Sequence, residues 1–356
     1  MKPLRQHVAI AIDGGGIKGA MVARALAILE DHVGLPVHGI FRLATGTSTG
    51  AILSAGIAAG LTASRMFALY NELGERVFRR SLRGRLWPLT HYRYPLEPLR
   101  AALDGALGGA RVGGLWRAEA ATDLVVTTFD LVEERTRFIK PWKPEYARLP
   151  LVTAVLASCS VPTYFPVVEG RYVDGGVGSY ANPCYIAAYE ARFCLGWDPA
   201  ETTLISLGTG RDPKTRRPGE ANHYRAWDWL GPILGAFMQS AGDQQVHLVE
   251  TFFKSVDFRR FQVDLDRPIA MDDPASLPVL AVYGEELGRK ILDDETDPAL
   301  EIRAERAVGG AATPPAQPVA RSMLGDVAIA ALALARTWHE SRRGGSGEGD
   351  PGPRTR

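Results

Sequence analysis

Val8-Ala9-Ile10-Ala11-Ile12-Asp13-Gly14-Gly15-Gly16-Ile17-Lys18-Gly19 sets an apolar run against a glycine-rich turn, and the helical pattern Ala20 to Val33 follows directly. A short apolar run that stops at glycines and gives way to a 3.6-residue period predicts a strand, a tight turn and a helix. Three consecutive glycines leave their backbone N–H groups unobstructed side by side, and donors so placed can hold an oxyanion. Gly14, Gly15 and Gly16 are therefore the expected oxyanion donors, and Asp13, Lys18 and Gly19 complete the motif.

A second turn has the same character. Gly46-Thr47-Ser48-Thr49-Gly50 lies between the short run Phe41 to Ala44 and the small-residue stretch Ala51 to Leu61. Serine between glycines at this spacing fits a sharp strand-to-helix turn, in which a side chain at either glycine would strike neighbouring backbone. Ser48 would then stand strained at a helix N-terminus, where free amides and the helix dipole favour developing negative charge. A third turn, Asp174-Gly175-Gly176 after Arg171-Tyr172-Val173, leaves a carboxylate with nothing bulky to screen it. Each has a plainer reading, a serine-capped turn for Ser48 and an Asp-Gly reverse turn for Asp174. Together they supply an anion cradle, a nucleophile and a base, the parts of an acyl-transfer site.

Other chemistries fit less well. Gly14 to Gly19 also matches G-x-G-x-x-G, but a dinucleotide site needs an acidic residue at the end of the second strand, and Glu30 and Asp31 fall in the helical pattern instead. A phosphate loop needs Lys followed by Ser or Thr, and Gly19 follows Lys18. A histidine base would have to come from His7, His32, His38, His91, His223, His247 or His339, none of which sits in a glycine-flanked turn. A carboxylate is a weak base for a hydroxyl, so a Ser48–Asp174 pair needs close contact, exclusion of water and a strong oxyanion hole.

In this order, the three motifs resemble those of the patatin-like phospholipase family, and the Asp-Gly-Gly-Gly-Ile-Lys-Gly and Gly-Thr-Ser-Thr-Gly spellings resemble the plant patatins. Ala157-Ser158-Cys159-Ser160-Val161-Pro162-Thr163-Tyr164-Phe165-Pro166 and Ser206-Leu207-Gly208-Thr209-Gly210 extend the likeness, which covers roughly residues 7 to 210. The resemblance implies a three-layer α/β fold with a mostly parallel central sheet between helices, and a lipid acyl hydrolase acting on phospholipids or other acyl glycerols in lipid catabolism. It implies Ser48 as nucleophile and Asp174 as proton acceptor, the amides of Gly14 to Gly16 as oxyanion hole, an acyl-enzyme, and no metal or organic cofactor. Lys18 stands where many members carry arginine, which leaves open a role in holding phosphate or the loop. Three further readings use the same residues: an esterase or thioesterase for soluble acyl groups, a lipid-binding or nucleotide-sensing module with a silent site, and a regulated membrane-degrading effector.

The alternation of elements agrees with that fold class. Strand-like runs at Val8 to Ile12, Phe41 to Ala44, Leu124 to Phe129, Arg137 to Ile139, Arg171 to Val173 and Thr203 to Leu207 are interleaved with helical patterns at Ala20 to Val33, Ser48 to Gly60, Ala63 to Phe78, Leu151 to Ser158 and Pro183 to Phe193. Such alternation predicts a sheet, mostly parallel, between helix layers. A chain of 356 residues reads as one large catalytic domain over 1–306, a Gly/Ala/Pro-rich linker over 307–320, a C-terminal helix over 319–343 and a disordered tail over 344–356.

A net charge of +1 argues against a general nucleic-acid binder. Cys159, Cys184 and Cys194 lack metal-ligand spacing and read as buried free thiols, which suits a reducing, cytoplasmic setting. Val8 to Ile12 is too short for a signal core and Ala51 to Leu61 too short for a membrane span, so membrane contact is expected to be peripheral. Two regions could provide it. Arg79, Arg80, Arg83, Arg85 and Arg93 alternate with Phe78, Trp87, Tyr92 and Tyr94, which suits an anionic lipid surface or a solvated insertion. Trp227, Trp229, Leu230, Ile233, Leu234, Phe237 and Met238 make an apolar helical face, for core packing or a lid.

Overall fold

The computed structural model describes residues 1–79, 91–116, 122–214, 217–225 and 228–298. Arg80, Arg83, Arg85, Trp87 and Trp227, and the expected linker, C-terminal helix and tail, lie outside the described residues.

Among those residues the strands are β1 (His7–Ile12), β2 (Leu43–Gly46), β3 (Asp123–Asp130), β4 (Arg135–Ile139), β5 (Tyr172–Asp174), β6 (Thr202–Leu207) and β7 (Asp257–Phe261). The principal helices are α1 (Gly19–Val33), α2 (Thr49–Ala58), α3 (Ala63–Val77), α4 (Glu97–Leu107), α5 (Leu151–Cys159), α6 (Cys184–Tyr189), α7 (Leu230–Phe252) and α8 (Leu277–Asp293). One sheet runs in the order β4-β3-β2-β1-β6-β7, with β5 also paired to β3. The pairings β3–β2–β1–β6–β7 are all parallel, whereas β4 and β5 join β3 antiparallel.

The period of a strand explains the layering. Val8, Ile10 and Ile12 of β1 point into a core shared with α1, α3 and α8, and the small Ala9 and Ala11 point the other way, against α6 and α7. Sheet side chains are therefore buried on both faces, as a mostly parallel sheet requires. α2, α4 and α5 enclose a further apolar cluster over β3, containing Leu99, Leu103, Leu124, Val126 and Val155.

β3 carries the arrangement that matters for the site. Its early residues pair with β2, ending with Gly46 opposite Val126. Its later residues pair with β4 along one edge and with β5 along the other, Thr128 standing opposite Asp174. A strand has two edges, so β5 takes over the edge that β2 leaves. The Asp174 turn is thereby brought beside the turn that follows Gly46.

One expectation about the cysteines is corrected. Cys159 and Cys184 are buried, but Cys194 is exposed. The helix after Tyr189 widens into a π turn over Glu190–Cys194, closed by the Leu195 N–H on the Glu190 carbonyl at 2.9 Å, and this turn carries Cys194 outward. The acidic residue weighed for a dinucleotide site is structural: the Glu30 carboxylate accepts the N–H groups of Val37 and Ala63 at 2.8 and 2.7 Å.

Candidate active site

β1 and β2 end level, with Ile12 opposite Gly46, so both glycine motifs leave the sheet at its carboxyl edge. The turn after β2 is tight enough to run backbone against backbone. A Cβ on Gly46 would fall 2.1 Å from the Gly50 carbonyl oxygen, and one on Gly50 would fall 2.1 Å from that of Ile12. Ser48 at the apex has φ 55° and ψ −124°. Such a conformation costs a non-glycine residue about 1–3 kcal/mol and persists only where its surroundings hold it. They do: the Ser48 N–H donates to Ser158 Oγ at 2.9 Å, and the Cys159 thiol donates to the Ser48 carbonyl at 3.1 Å.

Asp174 is buried at the end of β5, and its Oδ1 accepts the Gly176 N–H at 2.8 Å. Its Oδ2 is buried with no hydrogen-bond partner among the described residues. Burial pushes the carboxyl up to about 6, against the opposing pull of the Ser48 hydroxyl and the Gly176 amide. The Ser48 hydroxyl thus acts on the carboxyl, while Oδ2 accepts no hydrogen bond among the described residues.

The glycine loop lies against Ser48, since a Cβ on Gly14 would sit 3.3 Å from Ser48 Cβ. The three amides expected as oxyanion donors differ in availability. Gly14 donates its N–H to the Ala181 carbonyl at 2.9 Å, and its own carbonyl accepts the Thr209 hydroxyl at 2.7 Å. Those bonds fix the loop and leave the amides of Gly15 and Gly16 as the ones with no acceptor among the described residues. Gly16 has φ 61°, and a Cβ there would strike the Met271 carbonyl oxygen at 2.4 Å.

Asp13, Lys18 and Gly19 hold the loop from behind. Arg260 forks onto both oxygens of Asp13 and also reaches Ser206 Oγ at 2.8 Å. Burial pushes the Asp13 carboxyl up while the Arg260 guanidinium opposes the rise. Lys18 is buried and lies 3.6 Å from the Asp212 carboxylate. A Cβ on Gly19 would fall 2.1 Å from Thr49 Oγ1, so this glycine lets α1 and α2 start against each other. Gly175 serves the Asp174 turn similarly, its Cβ position lying 2.1 Å from Thr127 Oγ1, and Gly176 sits where a Cβ would be 3.3 Å from Met238 Cε of α7.

An apolar slot of about 550 Å³, its mouth included, runs from Ser48. Ile52, Tyr70, Val77, Phe78, Leu99 and Phe165 are among its lining residues, with Gly16 and Met271. Phe78, weighed above for a lipid surface, faces this slot, and Tyr94 is buried against it, with the two rings edge to face at 5.4 Å. Among the described residues no histidine lines the slot; His7 stacks on Trp197 at 4.9 Å instead. Ser158 and Thr209 lie within the two segments that extend the family likeness, but nothing local marks them as parts of the site, and Ala181 lies outside every motif.

The family model described as patatin-like phospholipase matches residues 10–188, half of the chain. The chain belongs to the patatin-like phospholipase family. It is similar to the cGAMP-activated phospholipase of Pseudomonas aeruginosa, 29% identical over 270 residues that cover 72% of this chain and 78% of that one. It is also similar to Patatin-17 of Solanum cardiophyllum, 25% identical over 349 residues covering 83% and 87%. VipD from Legionella pneumophila aligns in structure with a TM-score of 0.43 and 12% identity over 82% of this chain and 67% of that one. The mostly parallel sheet between helices is the patatin-like fold, and this patatin-like phospholipase is a hydrolase of lipid acyl esters. Among the described residues no helix is long and apolar enough to cross a membrane.

Proposed function

We propose that the chain releases fatty acid from phospholipids or other acyl glycerols through a Ser48–Asp174 dyad and an acyl-enzyme. The observation that carries this reading is the pairing of a strained serine at the head of an apolar slot with a buried carboxylate whose Oδ2 has no other partner. Oδ1 is anchored by Gly176, so the lone pairs of Oδ2 are the ones left to take a proton. Ser48 Oγ attacks the ester carbonyl as its proton passes to Asp174, and the oxyanion takes the amides of Gly15 and Gly16. Collapse expels the glyceryl alkoxide, which recovers the proton from Asp174. Water then gives a proton to Asp174 and attacks the acyl-enzyme; collapse frees the fatty acid and returns the proton to Ser48. The slot holds the acyl chain, and the chain docks peripherally on the lipid surface that supplies it.

The test is fatty-acid release from mixed phospholipid vesicles, wild type beside Ser48→Ala, with a chelator present. Release that disappears in the variant is expected; equal release from both proteins would refute the dyad. If the wild type is silent on vesicles, hydrolysis of a short-chain nitrophenyl ester would favour a soluble-ester enzyme. Release that begins only on adding cGAMP, the activator in the name of the Pseudomonas aeruginosa relative, would favour a regulated effector.

A further inference from the structure

The C-terminal end of α5 touches both members of the dyad. Ser158 and Ser160 are fully buried, and Cys159 nearly so. Ser158 Oγ accepts the Ser48 N–H at 2.9 Å, and the Cys159 thiol donates to the Ser48 carbonyl at 3.1 Å, so the peptide groups on both sides of the strained serine are gripped. Burial pushes the thiol well above its usual range, which keeps its proton in place for that bond. The next residue holds the base, because the Asp174 N–H donates to the Ser160 carbonyl at 3.0 Å. Thr128 Oγ1 stitches the same two pieces together, lying 3.1 Å from the Ala157 carbonyl and 2.8 Å from that of Val173.

We propose that Ser158 is a positioning residue for the hydrolysis: with Cys159 and Ser160 it forms a buried strap that fixes the nucleophile peptide and the base to one segment and so sets their separation. This inference rests on the dyad reading above. The physical case is that a positive-φ serine needs its backbone bonds satisfied in place. Removing the Ser158 hydroxyl leaves the Ser48 N–H a buried donor without an acceptor, and the peptide then turns to find another. Rotation there moves Ser48 Oγ relative to the Asp174 carboxylate, and a displacement near 1 Å lowers a rate about 100-fold. Substrate binding in the slot, which Ser158 does not line, should change little.

The experiment measures ester hydrolysis by wild type, Ser158→Ala, Ser158→Thr and Ser48→Ala, with active sites counted by labelling to completion with a fluorophosphonate. The expected result is a kcat per labelled site at least tenfold lower in Ser158→Ala, KM within threefold of wild type, and recovery of most of the loss in Ser158→Thr, which keeps the hydroxyl. A smaller fall in kcat, a loss confined to KM, or an equal loss in Ser158→Thr would overturn the positioning role while leaving the dyad intact. Activity persisting in Ser48→Ala would remove the dyad and this inference together. Should Ser158→Ala fail to fold, Ser158→Cys carries the test by keeping the volume while replacing the hydroxyl acceptor with a much weaker thiol, and a kcat per site equal to wild type would overturn the proposal.

Discussion

Replacing Asp174 by asparagine should abolish activity and make the protein more stable. The carboxyl is raised by burial from its ordinary 3.8 to about 6. At about 1.36 kcal/mol for each pH unit, holding that charge costs the folded state about 3 kcal/mol at neutral pH. The sign follows from proton binding: between pH 3.8 and about 6 the folded chain keeps a proton that the unfolded chain has released, so stability falls as pH rises through that window. Asparagine keeps an oxygen to accept the Gly176 N–H and places an uncharged amide near Ser48. At pH 8 the variant should gain close to the full amount, and at about 2 °C per kcal/mol for a chain of this size its melting temperature should rise by about 6 °C. Near pH 4 the wild-type carboxyl is itself neutral and the gap should close. Calorimetric or dye-monitored melting at pH 4 and pH 8 decides the matter. A variant that melts at or below wild type at pH 8, or a gap equal at both pH values, would refute the claim that Asp174 is held as a costly buried charge.

The same carboxyl sets a pH profile: kcat/KM on a soluble ester should be level above about 6 and fall about tenfold per pH unit below it, and a flat profile down to pH 5 would exclude Asp174 as the base. Gly15→Ala would place a Cβ 2.3 Å from Thr209 Oγ1 and displace an oxyanion donor, so kcat at saturating ester should fall about 10²- to 10³-fold. Arg260→Ala leaves the largely buried Asp13 without its forked partner and should cost about 3 kcal/mol in denaturant unfolding, a good part of which Asp13→Asn in the same chain should recover.

What could be read from the sequence was whatever is local. The apolar run before Gly14, the glycines flanking Ser48 and the glycines after Asp174 each satisfy a constraint imposed within a few residues. β7 was not legible, because Asp257-Phe258-Arg259-Arg260-Phe261 carries two arginines where a buried strand should be apolar. Arg259 forks onto Asp257, and Arg260 reaches Asp13 across 247 positions of sequence. α8 was hidden by Gly284 and Gly288, which weaken helical propensity but let it lie close to α1: a Cβ at Gly284 would fall 2.6 Å from Arg24 Cβ. The loss of Gly14 as a free donor depends on Ala181, and the slot gathers residues from Gly16 to Met271. Neither has a local signature.

Because β2 and β5 dock in turn along one edge of β3, the turns that carry Ser48 and Asp174 are measured from a single gauge. Side chains alternate across a strand, so a slip of one residue by β5 would send the carboxylate to the opposite face rather than shift it slightly. On the proposed dyad, such a slip would disarm the site rather than slow it. On the same proposal, a nascent or misassembled copy with Ser48 but without Asp174 beside it would be inert toward the lipids around it, and hydrolytic power would arrive with the completed sheet.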